Sequence, residues 1–258
     1  MHKTKKIFLT SFFRDSYTYI NSAYGDKYAK INAAYANGGA KLLIETLQND
    51  YKIAIDHYVS VNFTSFVKIV DLIGGVNVTV QPYEAKAVGL NCPSGEDVLL
   101  NGEQALCFCR IRGCDADGDV SRTRRQRQVI DAIIDRVKTA SLKDLNKYID
   151  TFLPYVDTSY SKTQILSLGV SAITGKWFNY ERSELQAPDD SCRISGSANA
   201  WIWVVDYELA AHKLQNELYG KSNITLKDNR VTLIDIYRGV NYAGNMGDSI
   251  SDSTTTTE

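Results

Sequence analysis

The chain has 258 residues, of which 44% are hydrophobic and 23% charged, a composition that suits one large folded domain or two small ones. Its 29 lysines and arginines nearly balance 30 acidic residues, so no global field recruits nucleic acid or an anionic membrane, and an anion must be held by a local cluster. The most apolar stretch, Tyr58 to Val80, is interrupted by Lys68, Asp71 and two glycines, which excludes a span of about 20 apolar residues. The opening MHKTKKIFLTSFF is basic, but Arg14 and Asp15 break its apolar run too soon for a signal peptide.

Lys6 to Phe12 (KIFLTSF) reads as a buried strand. Asn21 to Asn37, rich in Tyr, Ala, Gly and Asn, reads mostly as loop. After Gly38-Gly39, Leu43 and Leu47 at i, i+4 predict a helix over Ala40 to Asn49. The alternating HYVSVNF predicts a strand from His57 to Phe63. Thr64 is positioned to cap a helix over Ser65 to Ile73, whose Phe66, Ile69, Val70 and Ile73 share a face, and Gly74-Gly75 ends it. VNVTV, from Val76 to Val80, is a further strand. NGEQAL predicts a short helix and CFCRIR an extended run. A long helix runs from Ser121 to about Thr139, with Val129, Ala132, Ile133, Ile134 and Val137 on its apolar side, and another follows Ser141. Lys176 to Gln186 reads as a strand. Trp203 to Tyr219 reads as an amphipathic, core-facing helix through Val204, Tyr207, Ala211, Leu214 and Leu218. Residues 244–258 form a polar tail with a disordered composition.

The five cysteines, Cys92, Cys107, Cys109, Cys114 and Cys192, form no CxxC pair, and the three histidines are scattered, which argues against a zinc site. Cys107 and Cys109 are expected on one face of a strand. Buried free thiols and up to two disulfides stand as alternatives.

Chemistry concentrates in RIRGCDADGDVSRTRRQRQ, Arg110 to Gln128. Arg110 and Arg112, two apart on an extended run, face the same way. Arg122, Arg125 and Gln126 fall on one face of the first helical turns. A helix N-terminus is already positive and prefers acids, so Arg122, Arg124, Arg125 and Arg127 crowd the wrong end unless an anion joins them. Free N–H groups and arginine forks there suit a phosphate or pyrophosphate. The competing reading is a solvated helix face with Arg127 and Asp131 as an i, i+4 pair. DADGD resembles the opening of a calcium loop but lacks the twelfth-position Glu. Arg14-Asp15 follows the first strand, where open α/β sheets gather ligands, with Lys30 as a companion across the loop; a local ion pair is the alternative. Nucleic-acid binding is disfavoured, because no aromatics interleave the arginines.

LTSFFRDSYTYI, KINAAYANGG, DHYVSVNFTSFVKIVDLIGGVNVTV, NGEQALCFCRIR and GDVSRTRRQRQVI, in that order and spacing, resemble the LytR-CpsA-Psr domain from about Lys5 to Lys138 and more loosely to Tyr219. The resemblance implies one catalytic domain over 1–243, a three-layer α/β/α fold with a central mixed β-sheet flanked by helices. It implies an extracytoplasmic phosphotransferase that moves a teichoic-acid- or capsule-like glycopolymer from a polyprenyl-pyrophosphate carrier to peptidoglycan. The family's pyrophosphate-binding residues map onto Arg14, Lys30, Arg110, Arg112, Arg122 and Gln126, and its candidate base onto Asp119, which with Arg112 and Arg122 makes up the expected catalytic set. A non-catalytic module that binds the carrier or a cell-wall polyanion is the alternative.

In the family a cytoplasmic tail, a membrane anchor and at least one strand come before this region. Aspartates that hold magnesium (Mg2+) beside the pyrophosphate also lie there. Met1 falls just before the strand carrying LTSFFRD, so the chain is expected to lack those parts, to show weak or no transfer by itself, and to act at the outer membrane face only in a longer form.

Overall fold

A computed structural model describes residues 5–21, 27–87, 89, 95–112, 118–190, 192–195, 202–227, 229 and 231. The expected tail over 244–258 lies outside the described residues, as do Cys92, Cys114 and the DADGD acids before Gly118. In chain order the elements are β1 (Lys6–Phe12), β2 (Tyr17–Ile20), β3 (Lys27–Lys30), α1 (Asn32–Tyr51), β4 (Val59–Val61), α2 (Phe63–Leu72), β5 (Val76–Val80), α3 (Pro82–Ala87), β6 (Gly95–Leu100), α4 (Gly102–Arg110), α5 (Asp119–Lys138), α6 (Leu142–Phe152), β7 (Val156–Thr158), α7 (Lys162–Thr174), β8 (Glu181–Ala187), β9 (Cys192–Ser195), β10 (Ile202–Val205) and α8 (Tyr207–Tyr219). They fall into two compact units, one of Met1–Ser11 with Ile55–Leu185, the other of Phe12–Ala54 with Gln186–Glu258.

In the first unit β5 and β6 pair antiparallel, as do β4 and β7. β5 buries Val76, Val78 and Val80, and these meet Val70 and Ile73 of the α2 end, Phe108 of α4 and Val129 of α5 in one core. Burying each such side chain contributes roughly 1.5–3 kcal/mol. Of the α2 face predicted from Phe66, Ile69, Val70 and Ile73, Phe66, Val70 and Ile73 pack there. Gly75, at φ +86, ends that helix in a backbone conformation that L side chains rarely adopt. Gly102 lets α4 touch α2: an added Cβ would sit 2.3 Å from the Val67 carbonyl oxygen. The Gly102 N–H also donates to Asp71 at 2.7 Å, which fixes where α4 begins. At its far end α5 is tied back to α2, with Arg136 Nε donating to the Ile73 carbonyl at 2.9 Å.

In the second unit β2 pairs antiparallel with β3, and β9 with β10. Ser16 bridges in parallel to Trp203, so both strand directions occur. Ile20, Ala34 and Leu42 form a core between β2 and α1. Phe13 stacks on Trp203, and Phe12, Tyr51 and Tyr207 pack edge to face in succession. β1 and β8 pair with each other, and the chain passes between units within both strands.

Several expectations need correction. Residues 21–37 are not mostly loop: Lys27–Lys30 is a strand and Asn32 already starts α1, with Gly38 and Gly39 non-helical inside it. Asn62, not Thr64, caps α2, accepting from the Ser65 N–H at 2.8 Å. CFCR is helix rather than extended, because α4 runs on to Arg110 and buries Phe108 and Cys109 against the core. Cys107 is consequently exposed and Cys109 buried, on different faces, and both are free thiols, as is Cys192. Residues 203–205 are strand, paired with β9, so Val204 and Tyr207 belong to different elements. The strand expected from Lys176 begins at Glu181, after a 3₁₀ turn over Trp177–Asn179. β1 is half-buried throughout rather than buried.

Candidate functional site

Five of the seven expected site residues, Arg110, Arg112, Asp119, Arg122 and Gln126, lie in the first unit, at the end of α4, just beyond it and in the first turns of α5. Because α4 is helical to Arg110, the two arginines do not share a strand face. Arg110 is the last helical residue and lays its guanidinium 4.4 Å from the ring centroid of Phe63. Ile111 caps the helix with extended ψ (133°), and the exposed Arg112 stands beyond it.

α5 begins without a side-chain cap. Gly118 precedes it at φ +50, and Asp119 is the acid of its first turn. Asp119 pairs with Arg122 Nη1 at 2.9 Å, one turn on. An acid at this end suits the helix dipole. The arginines of this helix start are not a solvated face: Arg122, Arg125 and Arg127 are all buried. The pair expected between Arg127 and Asp131 does not form. Arg127 turns instead to Glu184 of β8 at 2.9 Å and to the Ser11 hydroxyl at 2.8 Å, while Arg182 takes Asp131 and Asp135. Strand neighbours offer a better-shielded partner than an i, i+4 residue on the helix surface.

The centre of the array is a carboxylate that the sequence reading missed. Glu84 of α3 is fully buried. Its Oε1 accepts from Arg124 Nη2 at 2.9 Å and Arg125 Nη1 at 3.1 Å, and its Oε2 accepts from the Gln81 N–H at 2.9 Å. Arg125 Nη2 goes on to donate to the Ile111 carbonyl at 3.1 Å, and Gln126 Nε2 reaches the Cys109 carbonyl at 3.4 Å. These bonds tie the first turns of α5 to the stretch that carries Arg110 and Arg112. The one available signal was QPYE, a proline-started helix turn with Glu three residues after its cap position. Burial pushes the Cys109 thiol up to about 12 despite Arg125 nearby, so it is not a nucleophile at neutral pH.

Arg14 and Lys30 lie in the second unit, where β2 and β3 bring both to Asp15, the local ion pair that stood as the alternative reading. Asp15 pairs with Lys30 Nζ at 3.3 Å and with Arg14 Nε at 3.4 Å. The Asn32 N–H donates to the Arg14 carbonyl and the Ile31 N–H to that of Ser16, which pins the start of α1 beside the turn after β1. Among the described residues these two cations share the Asp15 carboxylate. Among the described residues of the chain no group of three or more His, Cys, Asp or Glu could hold a metal ion, and no helix is long and apolar enough to cross a membrane.

The order of these blocks is that of a known family, whose model, the LytR_cpsA_psr family, matches residues 1–218. The chain belongs to that family. It is 37% identical over 150 residues to the Bacillus licheniformis protein named polyisoprenyl-teichoic acid–peptidoglycan teichoic acid transferase TagU, which covers 58% of this chain and 47% of that one. The crystal structure of Bacillus subtilis TagV superposes with a TM-score of 0.65 at 28% identity, covering 84% of this chain and 85% of that one. A structure described as TagT bound to LIIa-WTA does so with a TM-score of 0.69 at 25% identity, covering 85% and 80%. The fold is thus that of the LytR_cpsA_psr domain, α/β with mixed sheets flanked by helices. The chain spans about half the length of the curated relatives it matches.

Proposed function

We propose that this member of the LytR_cpsA_psr family acts in a phosphotransferase that moves a glycopolymer from a polyprenyl-pyrophosphate carrier to a hydroxyl of peptidoglycan, on the extracytoplasmic side of the membrane. The observation that carries the reading is the knit between α4 and α5. It gathers Arg110, Arg112, Arg122 and Gln126 where α4 gives way to α5, with Arg124 and Arg125 held by Glu84 and Arg127 by Glu184. Clustered arginines are what a diphosphate needs, since phosphoryl transfer depends on positioning and charge neutralisation more than on covalent catalysis. The names of the relatives agree in class, being teichoic acid transferases to peptidoglycan.

The acceptor oxygen attacks the phosphorus nearer the glycopolymer. The bond from that phosphorus to the bridging oxygen breaks, and polyprenyl phosphate leaves with the electron pair. Asp119 takes the proton of the acceptor hydroxyl, exchanging its ion pair with Arg122 for that hydroxyl as Arg122 engages the phosphate. The resemblance also implies magnesium, for which the described residues contain no group of three or more candidate ligands.

The test is binding and turnover with a short polyprenyl-pyrophosphate glycan. Arg112→Ala and Arg122→Ala are each expected to weaken binding about 10-fold or more. Asp119→Asn should keep binding but lose roughly 10²–10⁴-fold in rate in a form that turns over. Binding unchanged in both arginine variants removes the assignment. Binding in the parent without product in any form, with Asp119→Asn indistinguishable, leaves a carrier-binding module instead.

A further inference from the structure

We propose that Glu84 is a positioning residue for the arginine cluster: it holds Arg125, Arg125 holds the carbonyl between Arg110 and Arg112, and so the spacing of Arg112 and Arg122 to the two phosphates is set. The inference rests on the transferase reading above and concerns residues outside the expected site.

Glu84 and Arg125 are both fully buried. Taking two charges out of water is costly, and a well-packed apolar pair of similar volume would commonly hold such a core as well or better. The pair therefore needs a reason besides stability, and its geometry supplies one. The guanidinium is a planar fork with fixed angles between its N–H groups. One arm, Nη1, is held by Glu84 at 3.1 Å and the other, Nη2, by the Ile111 carbonyl at 3.1 Å. With both arms engaged, the direction of the carboxylate fixes the direction of the carbonyl. Ile111 is where the chain leaves α4, so a rotation there swings Arg112, which is exposed and has no core packing to hold it. Glu84 is itself fixed, because its second oxygen accepts from the Gln81 N–H that directly follows β5. The line β5, Glu84, Arg125, Ile111, Arg112 thus runs from the core to the charge that meets the ligand, and displacements of about 1 Å in such arrays cost large factors in function.

The experiment titrates inorganic pyrophosphate into the full chain by calorimetry and follows the ¹⁵N Nε–H resonances of Arg112 and Arg122. Glu84→Met/Arg125→Met replaces the pair with apolar side chains. It also takes the carboxylate from Arg124 and the Gln81 N–H, so it should melt lower than the parent while remaining folded, bind about 10-fold more weakly, and lose the pyrophosphate-induced shift of the Arg112 resonance. Arg125→Lys keeps the charge opposite Glu84 but offers a single nitrogen to two acceptors, and should fold and bind at least about 3-fold more weakly. A folded double variant that binds like the parent overturns the positioning role. Should the double variant not fold, Arg125→Lys decides, and parent-like affinity there overturns it too. If the parent does not bind, or Arg112→Ala and Arg122→Ala bind as it does, the transferase reading fails and takes this inference with it. Sensitivity to those two alongside indifference to the Glu84 and Arg125 variants sinks the positioning role alone.

Discussion

Asp50 lies at the end of α1 with its Oδ1 accepting from the Thr18 hydroxyl at 2.8 Å, while its other oxygen is buried. Burial, opposed by the Thr18 hydrogen bond and Lys52, raises its pKa from 3.8 to about 7. The folded chain then holds a proton that the unfolded chain has lost, across the window from about 4 to 7. Stability therefore falls as pH rises through that window and stays lowered above it. Asp50→Asn keeps an acceptor for Thr18 and removes the titration. It should be more stable than the parent by on the order of 4 kcal/mol at pH 8 and equal to it below about pH 4, by urea unfolding across pH. An unchanged pH profile would show the carboxyl to be ionised in the fold. Cysteine reactivity makes a second check: exposed Cys107 should alkylate in the native protein, and buried Cys109, pushed up to about 12, only after unfolding, by mass spectrometry.

At the scale of elements, α2 and α4 meet through a glycine and are started by two asparagine caps. Gly102→Ala drives a Cβ to 2.3 Å from the Val67 carbonyl oxygen, a backbone atom that cannot step aside. It should cost about 2–3 kcal/mol in a denaturant midpoint. Asn62→Ala should cost about 1 kcal/mol and Thr64→Ala nearly nothing, the reverse of what the sequence suggests. The misplaced cap is instructive. Both residues are competent N-caps, and the choice depends on where the chain turns after β4. The same holds for CFCRIR, whose β-branched and aromatic character favours a strand, yet α4 continues through it because Ala105, Phe108 and Cys109 then bury one face. The i, i+3, i+4 stripe from Val204 to Leu218 was partly accidental, since Val204 faces its core from a strand paired with β9.

For the molecule as a whole, a net charge of −1 leaves affinity for an anion to local groups. Pyrophosphate affinity should fall with salt, but its association rate should change less than about 3-fold between roughly 20 and 200 mM salt, by stopped-flow. A steep rate dependence would point to a broader cationic face. The sequence by itself determined what is local or carried by pattern: β5, most of the apolar face of α2, the helix after Ser141, the nearness of Lys30 to Arg14-Asp15, and the order of blocks that marks the family. These depend on side-chain period, backbone chemistry and short spacings. Only the tertiary structure decided which arginines are spoken for. Arg127 finds Glu184 and Arg125 finds Glu84, 57 and 41 residues away, because burial strengthens any charge pair that packing brings together and leaves surface pairs screened. Spacing along a chain carries no record of which carboxylate the fold will place within 3 Å of a guanidinium, and for that reason Glu84 was legible as a helix-starting acid and not as the residue around which the arginines are arranged.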